Sequence, residues 1–297
     1  MTVTGVSAAS QAVTFTAPVV TNGQAPIATT CTPASGASFP LGTTAVSCAA
    51  KDAIARQATC SFNVTLKGQS ITVAKYDAFG DSLTQGQVGH PSFNGFDEID
   101  TPNAYPTKLQ ATFDSIYPGQ ATVINRGNGG DTVETTLATL KALLPSDRPG
   151  AVLLLSGYNN LTTACKPGSS GTTACKNAIN TQVPFGIRDC LRAVKEANVG
   201  VKYTFVSTLT PPGPSGSNRI DANAITQANV LIKQVVAAEG GVLVDSYAVF
   251  VGHEADYVNV DGLHLKPAGY QALADTFFAA IQRTVPQTPL FGFSAPR

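Results

Sequence analysis

The sequence predicts two folded parts, a small all-β sandwich followed by a parallel β-sheet sandwiched by helices. Three observations lead to this prediction. Residues 1–50 contain no Lys, Arg, Asp or Glu, and short alternating runs lie there between Gly and Pro turns. Beyond residue 70, strand-like runs alternate with helical ones. The run 151–155 is apolar throughout, as expected of a strand that is covered on both faces.

The first part, residues 1–68, has the period-two pattern of half-buried strands. Phe62, Val64 and Leu66 alternate with polar residues, and turn signals such as Asn22-Gly23 separate one run from the next. Short strands between Gly/Pro turns predict an all-β sandwich.

The second part, residues 71–283, alternates between the period-two pattern of strands and the 3.6-residue pattern of helices. Strands are predicted at 71–79, 121–125, 151–155, 201–207 and 241–245. Helices are predicted at 104–116, 133–144, 225–238 and 266–283, with a further one around 187–194. Five strands with intervening helices predict a parallel sheet, and active sites in such sheets lie at the carboxyl ends of the strands. Residues 284–297 are expected to form a C-terminal tail.

Composition excludes several classes of function. The 19 Lys and Arg residues balance 19 Asp and Glu, so nothing attracts nucleic acid or an anionic membrane. Charged residues make up 13% and hydrophobic ones 43%, which excludes a charged disordered chain. No apolar run approaches the ~18 residues of a membrane span. Met1 is followed by no basic and apolar leader, so the sequence shows no signal peptide.

The six cysteines allow 15 pairings, and local context favours some of them. Cys31 and Cys48 flank a plausible hairpin. Cys165 and Cys175 bracket a Gly/Ser loop and are predicted to form a disulfide. Cys190 lies on the apolar face of a helix, where a buried free thiol is expected. Disulfides and low charge favour a secreted or cell-surface protein, whose export signal we expect outside this sequence.

A serine and an acid–base pair are the first candidates for chemistry. Ser82, in Gly-Asp-Ser-Leu, directly follows a predicted strand, where an exposed nucleophile would need an adjacent base; the alternative is a helix N-cap. Asp261 and His264 are three residues apart, so one turn can hold both, with the imidazole between carboxylate and nucleophile. The alternative is a capping aspartate and a surface histidine. His90 and His253 are expected at the surface.

Two further segments follow predicted strands. In the glycine-rich segment 125–131, the backbone N–H of Gly130 is a candidate to point into the site; the alternative is a flexible turn. Asn159 follows the strand 151–155, and its side-chain amide can donate to a developing oxyanion. The alternative for Asn159 is an Asx-turn.

In this order, the four segments resemble the SGNH (GDSL) hydrolase family. They read Gly-Asp-Ser-Leu at 80–83, Asn-x-Gly-x-x-Gly at 125–130, Gly-x-Asn at 157–159 and Asp-x-x-His at 261–264. The resemblance covers residues 71–283. It implies a flavodoxin-like three-layer α/β/α sheet and ester hydrolysis without any cofactor.

The resemblance also implies a role for each matching residue. The nucleophile falls on Ser82, and the base falls on His264, which Asp261 orients. The oxyanion donors fall on the backbone N–H groups of Ser82 and Gly130 and on the side chain of Asn159.

Asn160 departs from the family pattern, which usually has aspartate there. We therefore expect the local support of Asn159 to differ. Asn160 also opens the sequon Asn160-Leu161-Thr162, within the expected site. A glycan at this position would block access, which favours a bacterial protein.

The first part resembles a HYR (hyalin repeat) module. The segment from Cys31 to Cys48, then Lys51-Asp52 and Cys60-Ser61-Phe62, carry this resemblance. Such modules are immunoglobulin-like sandwiches associated with extracellular adhesion, so the first part is expected to bind a surface, a polysaccharide or a protein. HYR repeats often carry another cysteine near their start. This sequence lacks it, so Cys60 is expected without a partner.

The combined prediction is a serine esterase that acts on a small-molecule or glycan ester. The segment 87–102 is a long polar insertion rather than a broad apolar lid, which favours short acyl groups or acetylated carbohydrates. Two alternatives stay open. One is an adhesion or carbohydrate-binding protein with an inactive hydrolase fold, and the other is acyl transfer to an acceptor other than water.

Overall fold

The structure is a computed structural model that describes residues 1–6, 10–89 and 98–289, in two compact units. The first unit comprises residues 1–72, 114–120 and 287–297, and the second comprises 73–113 and 121–286. His90, which we expected at the surface, lies outside the described residues, as does half of the polar insertion, residues 90–97.

Strands predominate before residue 72, and strands alternate with helices after it. The strands are β1 (Thr2–Val6), β2 (Ser10–Ala12), β3 (Ala28–Thr32), β4 (Ser38–Pro40), β5 (Gly42–Lys51), β6 (Gln57–Ile71), β7 (Lys75–Gly80), β8 (Thr122–Gly127), β9 (Ala151–Leu155), β10 (Tyr203–Ser207), β11 (Val242–Val244) and β12 (Gln287–Pro289). The helices are α1 (Ser82–Gln85), α2 (Tyr105–Ile116), α3 (Val133–Asp147), α4 (Tyr158–Ala164), α5 (Thr173–Asn177), α6 (Val183–Ala197), α7 (Ala222–Ala238), α8 (Ser246–Phe250), α9 (Glu254–Tyr257) and α10 (Pro267–Thr284). A 3₁₀ turn spans Thr101–Asn103, and a π-helical turn spans Ala178–Gln182.

The first unit is built from small β-sheets. One sheet has the order β1-β6-β5-β3, with β12 paired to β6, and β2 pairs with β4 in a second sheet. Alternate residues of β5 and β6 point inward, and Val46, Val64 and Leu66 are buried together with Phe39. The period-two pattern of the sequence therefore reflects one buried and one exposed face.

The second unit contains a parallel sheet with the order β11-β10-β9-β7-β8. Numbered within this unit, the strand order is 2-1-3-4-5, which is the flavodoxin-like order. All five residues of β9 are buried, as their apolar character predicted. The predicted α/β fold of this part is confirmed.

Strand β7 lies between β8 and β9, where the strand order reverses. In open parallel sheets, the crevice at the carboxyl ends of the strands beside such a point is the usual binding site. The segments that follow these three strands contain Ser82, Gly130 and Asn159. The topology therefore brings three of the predicted site segments to one edge of the sheet.

Two segments differ from their predicted form. The predicted strand 71–79 is divided, because Ile71 ends β6 whereas β7 begins at Lys75. Residues 72–74 read Thr-Val-Ala, with no Gly or Pro to mark a turn, so the pattern alone did not reveal the break. Within the segment expected to be a tail, Gln287–Pro289 form β12, which pairs antiparallel with the end of β6.

The cysteines form two disulfides, Cys31–Cys48 and Cys165–Cys175. The predicted Cys165–Cys175 bridge is confirmed, and both of its residues are buried. Cys190 is a buried free thiol, as predicted, and Cys60 is an exposed free thiol.

No helix among the described residues is long and apolar enough to cross a bilayer.

We expect the double substitution Cys165→Ala, Cys175→Ala to lower the free energy of unfolding by about 2–3 kcal/mol, because the bridge closes a short loop and restricts the unfolded chain. Urea unfolding under non-reducing conditions measures this loss. Cys60→Ser, which changes only the exposed thiol, is the control and should stay within about 0.5 kcal/mol of the wild type. A double variant as stable as the wild type would contradict the expectation.

Candidate active site

The serine segment begins where β7 meets the end of β9. A Cβ atom at Gly80 would lie 2.0 Å from the carbonyl oxygen of Leu155, so only glycine fits this position. Asp81 then caps α1, because its Oδ1 accepts the N–H of Leu83 at 3.0 Å. Ser82 is the first residue of α1, so the helix-cap alternative for Ser82 is wrong. The cap belongs to Asp81.

Ser82, His264 and Asp261 form one continuous hydrogen-bonded array. The Oγ atom of Ser82 lies 2.9 Å from Nε2 of His264, and Nδ1 of His264 lies 2.6 Å from Oδ2 of Asp261. The exposed fractions of the three residues are 5%, 4% and 1%, respectively. The alternative of a surface histidine is therefore wrong for His264. It is right for His253, which is exposed.

The Asp261 carboxylate organises its own turn. Its Oδ1 accepts the N–H groups of Leu263 and His264, both at 3.1 Å, and its Oδ2 accepts Nδ2 of Asn218 at 3.2 Å. Burial by itself would raise the pKa of Asp261. The bond and charge of His264, helped by the amide donors, outweigh burial and hold that pKa below its usual value. Asp261 is thus an ionised acceptor that orients the imidazole.

Asn218 is a site residue that the sequence did not reveal. It lies in the loop between β10 and α7, where its backbone N–H also donates to the carbonyl oxygen of Asp261 at 2.9 Å. No motif marks this loop in the sequence. The contact depends on the fold bringing together positions 43 residues apart.

The candidate oxyanion donors lie on three segments, namely α1, the loop after β8 and the first turn of α4. Gly130 has φ +83°, a conformation that favours glycine, and it is exposed. Asn159 is the second residue of α4, and its Nδ2 donates to the carbonyl oxygen of Asp131 at 2.9 Å. The N–H groups of Ser82 and Gly130 donate to no other described residue. The N–H groups of Ser82 and Gly130 are therefore free to bind another acceptor.

Asn160 supports this region in a different way from Asn159. Its Oδ1 accepts the N–H of Val133 at 3.0 Å, and its Nδ2 donates to Oε2 of Glu134 at 2.9 Å. These bonds tie α4 to the first turn of α3, immediately after the Gly130 loop. Asn160 is buried, and both ends of its amide are bonded. The residue that departs from the family pattern is therefore a structural link.

Asp81 is a second buried carboxyl beside the array. Burial raises its pKa to about 7, against the lowering effects of the Leu83 N–H and of His264, and Asp131 adds a further increase. Its Oδ2 has no hydrogen-bond partner among the described residues. With a single N–H donor, the Asp81 carboxyl is much less well stabilised as an anion than Asp261.

Two family models match the sequence, and several solved structures share the fold. The model of the GDSL-like Lipase/Acylhydrolase family matches residues 78–272, and the HYR domain model matches residues 2–66. The comparison with curated proteins gave no significant match.

Among solved structures, this chain is similar to a protein from Agrobacterium tumefaciens str. C58 that is provisionally named an arylesterase. The identity is 21%, the match covers 71% of this chain and 99% of that one, and the TM-score is 0.55. It is also similar to Axe2, an acetylxylan esterase from Geobacillus stearothermophilus, with 20% identity, coverage of 71% and 95%, and a TM-score of 0.52. At these identities the structures show a common fold.

The raised pKa of Asp81 predicts how the stability of the protein varies with pH. The folded protein holds a proton on Asp81 that the unfolded chain releases near the ordinary value of 3.8. The resulting stabilisation is complete below that value and is lost as the pH rises through about 7. Asp81→Asn keeps the capping oxygen and removes the titration. Between pH 5 and pH 8, the wild type should therefore lose on the order of 2 kcal/mol more stability than Asp81→Asn.

Denaturant unfolding at both pH values measures this difference. Asp275→Asn, on an exposed position of α10, is the matched control and should keep the pH dependence of the wild type. Parallel pH dependences of Asp81→Asn and the wild type would show that Asp81 does not titrate in this interval.

Proposed function

The chain belongs to the GDSL-like lipase/acylhydrolase family of carboxylic ester hydrolases, and we propose that Ser82, His264 and Asp261 are its catalytic triad. One observation carries this proposal. The Ser82 hydroxyl lies within hydrogen-bond distance of a histidine whose other ring nitrogen contacts a buried carboxylate. A nucleophile, a base and a group that orients the base are what acyl transfer through serine requires.

Each step of ester hydrolysis then has a residue. The Ser82 Oγ attacks the acyl carbonyl carbon while Nε2 of His264 takes the hydroxyl proton. Asp261 keeps the proton on Nδ1 of His264, so that Nε2 is the free base, and it stabilises the imidazolium that forms. His264 then gives the proton to the departing alkoxide, and an acyl-enzyme remains. Water, activated by the same imidazole, releases the acid and restores Ser82.

The negative charge of the tetrahedral intermediate needs donors that are already in place. We assign the N–H groups of Ser82 and Gly130 and the amide of Asn159 to this role. One amide hydrogen of Asn159 is bonded to Asp131, which holds the side chain in one orientation and leaves the second hydrogen for the oxyanion. Fixed donors in a site with little water stabilise developing charge far more than mobile water does.

The substrate we propose is an ester of a short acyl group, with acetylated carbohydrate as the favoured class. The serine and histidine are almost fully buried, so the reacting acyl group must be small enough to enter. Half-buried or exposed amide side chains of Gln87, Asn128 and Asn159 lie on the segments around them. Amides hydrogen-bond sugar hydroxyls, and Axe2, which shares the fold, is an acetylxylan esterase.

We further propose that the protein acts outside the cell or at its surface, in a bacterium. The HYR domain match and the two disulfides support an oxidising, extracellular setting. In this arrangement the first unit attaches the enzyme to a surface, a polysaccharide or a protein, and the second unit carries out hydrolysis.

Substitutions in the triad should cost more activity than a substitution in the oxyanion site. Ser82→Ala and His264→Ala should each abolish nearly all hydrolysis of p-nitrophenyl acetate, and the double variant should lose little more, because the two residues act as one unit. Asn159→Ala removes one donor of three and should lower kcat by about 10²–10³.

Ser246→Ala is the matched control, because Ser246 is a buried serine that is hydrogen-bonded to Ser207 instead of a histidine. It should keep wild-type activity. A fluorophosphonate probe should label the wild type and not Ser82→Ala. A folded Ser82→Ala variant with wild-type activity would overturn the proposed mechanism, and an unlabelled, inactive wild type would favour the adhesion alternative.

The size of the acyl group provides a separate test of the substrate. Along a series of p-nitrophenyl esters, kcat/KM should be highest for acetate and fall as the chain lengthens, because the buried serine admits only a small group. Acetylated xylo-oligosaccharides should release acetate in the same assay conditions. Activity that rises towards long acyl chains would contradict this assignment and leave the triad unaffected.

A further inference from the structure

Two glutamines beside the serine make contacts that the hydrolytic steps do not use. Gln85 is the last residue of α1, and its Oε1 accepts the N–H of Gly129 at 2.9 Å. Its backbone oxygen accepts Nδ2 of Asn125 at 3.3 Å. The short helix that begins with Ser82 is therefore bonded at its other end to the loop that contains Gly130.

The loop lies directly against these glutamines. A Cβ atom at Gly129 would be 2.0 Å from Nε2 of Gln87, and a Cβ atom at Gly127 would be 2.3 Å from the backbone nitrogen of Gln85. The clash at Gly127 is with backbone and would force the loop away from α1, whereas the clash at Gly129 would displace the Gln87 amide. Glycine at these two positions lets the loop backbone approach closely enough to donate to Gln85.

Gln87 fixes the orientation of the Gln85 side chain. Its Nε2 donates to Oε1 of Gln85 at 2.9 Å, so the same oxygen receives two donors and faces Gly129. The backbone oxygen of Gln87 in turn accepts the hydroxyl of Tyr270 at 2.6 Å. Tyr270 lies on α10, the helix that follows His264. The two glutamines thus connect the serine helix, the glycine loop and the helix after the histidine.

We propose that Gln85 is a positioning residue that sets the Gly130 N–H relative to Ser82, and that Gln87 acts through Gln85. The inference rests on the proposed roles of Ser82 and Gly130. Gly130 is exposed, and its N–H bonds to no other described residue. The bond from Gly129 to Gln85 anchors the residue before this donor, and the bond from Asn159 to Asp131 anchors the residue after it. An oxyanion donor is effective only when its position is set before the charge develops, and a misplacement of about 1 Å can cost 10²-fold in rate.

Gln85→Leu removes the acceptor and keeps the approximate size of the side chain. Its kcat for p-nitrophenyl acetate should fall about 10- to 100-fold, and KM should change less than about twofold, because the donor acts mainly in the transition state. The midpoint of the acidic limb of the pH–rate profile should not move, because the bonds among Ser82, His264 and Asp261 are untouched. Gln87→Leu should lower kcat to a smaller extent.

The double variant tests whether Gln87 acts through Gln85. In the Gln85→Leu background, Gln87→Leu should have no further effect on kcat, because the bond that it removes is already lost. Full additivity of the two losses would overturn this part of the proposal.

Gln110→Leu is the matched control. Gln110 is a half-buried glutamine that bonds the backbone at the other end of β8, to the carbonyl oxygen of Ala121 at 3.0 Å and the N–H of Val123 at 2.6 Å. Gln110→Leu and Gln85→Leu should each lower the melting temperature, because each loses side-chain bonds to the backbone, but Gln110→Leu should leave kcat unchanged. An equal fall of kcat in Gln110→Leu would mean that Gln85→Leu acts through general stability, which would overturn the proposal.

A folded Gln85→Leu protein with kcat within about twofold of the wild type would also overturn the proposed role of Gln85. If Gln85→Leu does not fold, Gln85→Met is judged by the same readouts. The fluorophosphonate probe distinguishes failure of the Gln85 proposal from failure of the proposed function. A wild type that is labelled at Ser82, beside an unimpaired Gln85 variant, refutes only the role of Gln85, whereas a wild type without a reactive Ser82 refutes the proposed function itself.

Discussion

The close approach of β7 to β9 is the constraint on which the rest of the site depends. At Gly80 the backbone passes so near the carbonyl oxygen of Leu155 that no side chain fits. Helix α1 begins two residues after this contact, so Ser82 follows the central strand β7 at the edge of the sheet where its neighbours β8 and β9 also end. The loop of Gly130 and the turn of Asn159 begin at those same ends. A shift of β7 against β9 would therefore move the serine relative to the proposed donor on Asn159.

Two buried aspartates near His264 differ in pKa because they differ in hydrogen-bond donors. Asp261 receives two backbone N–H groups, the amide of Asn218 and the imidazole, and its pKa is lowered. Asp81 receives the single N–H of Leu83, and burial raises its pKa to about 7. Burial alone disfavours both anions, so the number of donors decides which carboxyl is charged. The carboxylate beside the imidazole is thereby kept ionised.

Amide side chains connect the parts of this site. Charged residues make up only 13% of the chain, and the links between segments around the serine are mostly Asn and Gln. The amides in question are Gln85, Gln87, Asn125, Asn128, Asn159, Asn160 and Asn218. An amide both donates and accepts, so it can join two backbones without the desolvation cost of a buried charge. The links are therefore mostly neutral amides, and three of them donate to the carboxylates of Asp131, Glu134 and Asp261.

The sequence by itself determined the elements and the chemical groups of this protein. Strand β9 is apolar along its whole length, and Ser82, Asp261 and His264 lie in short motifs, so each signal is complete within a few residues. The break between β6 and β7 was missed because the joining residues 72–74 contain no Gly or Pro to mark a turn.

Only the tertiary structure decided which distant groups outside the four motifs meet. Asn218 reaches Asp261 across 43 positions, and Gln85 reaches Gly129 across 44. Such contacts depend on the order of the strands and on the paths of the loops, and neither leaves a periodic trace in the residues concerned. A local pattern records how a segment buries its own apolar face, whereas a hydrogen bond between segments exists only once the sheet has aligned them.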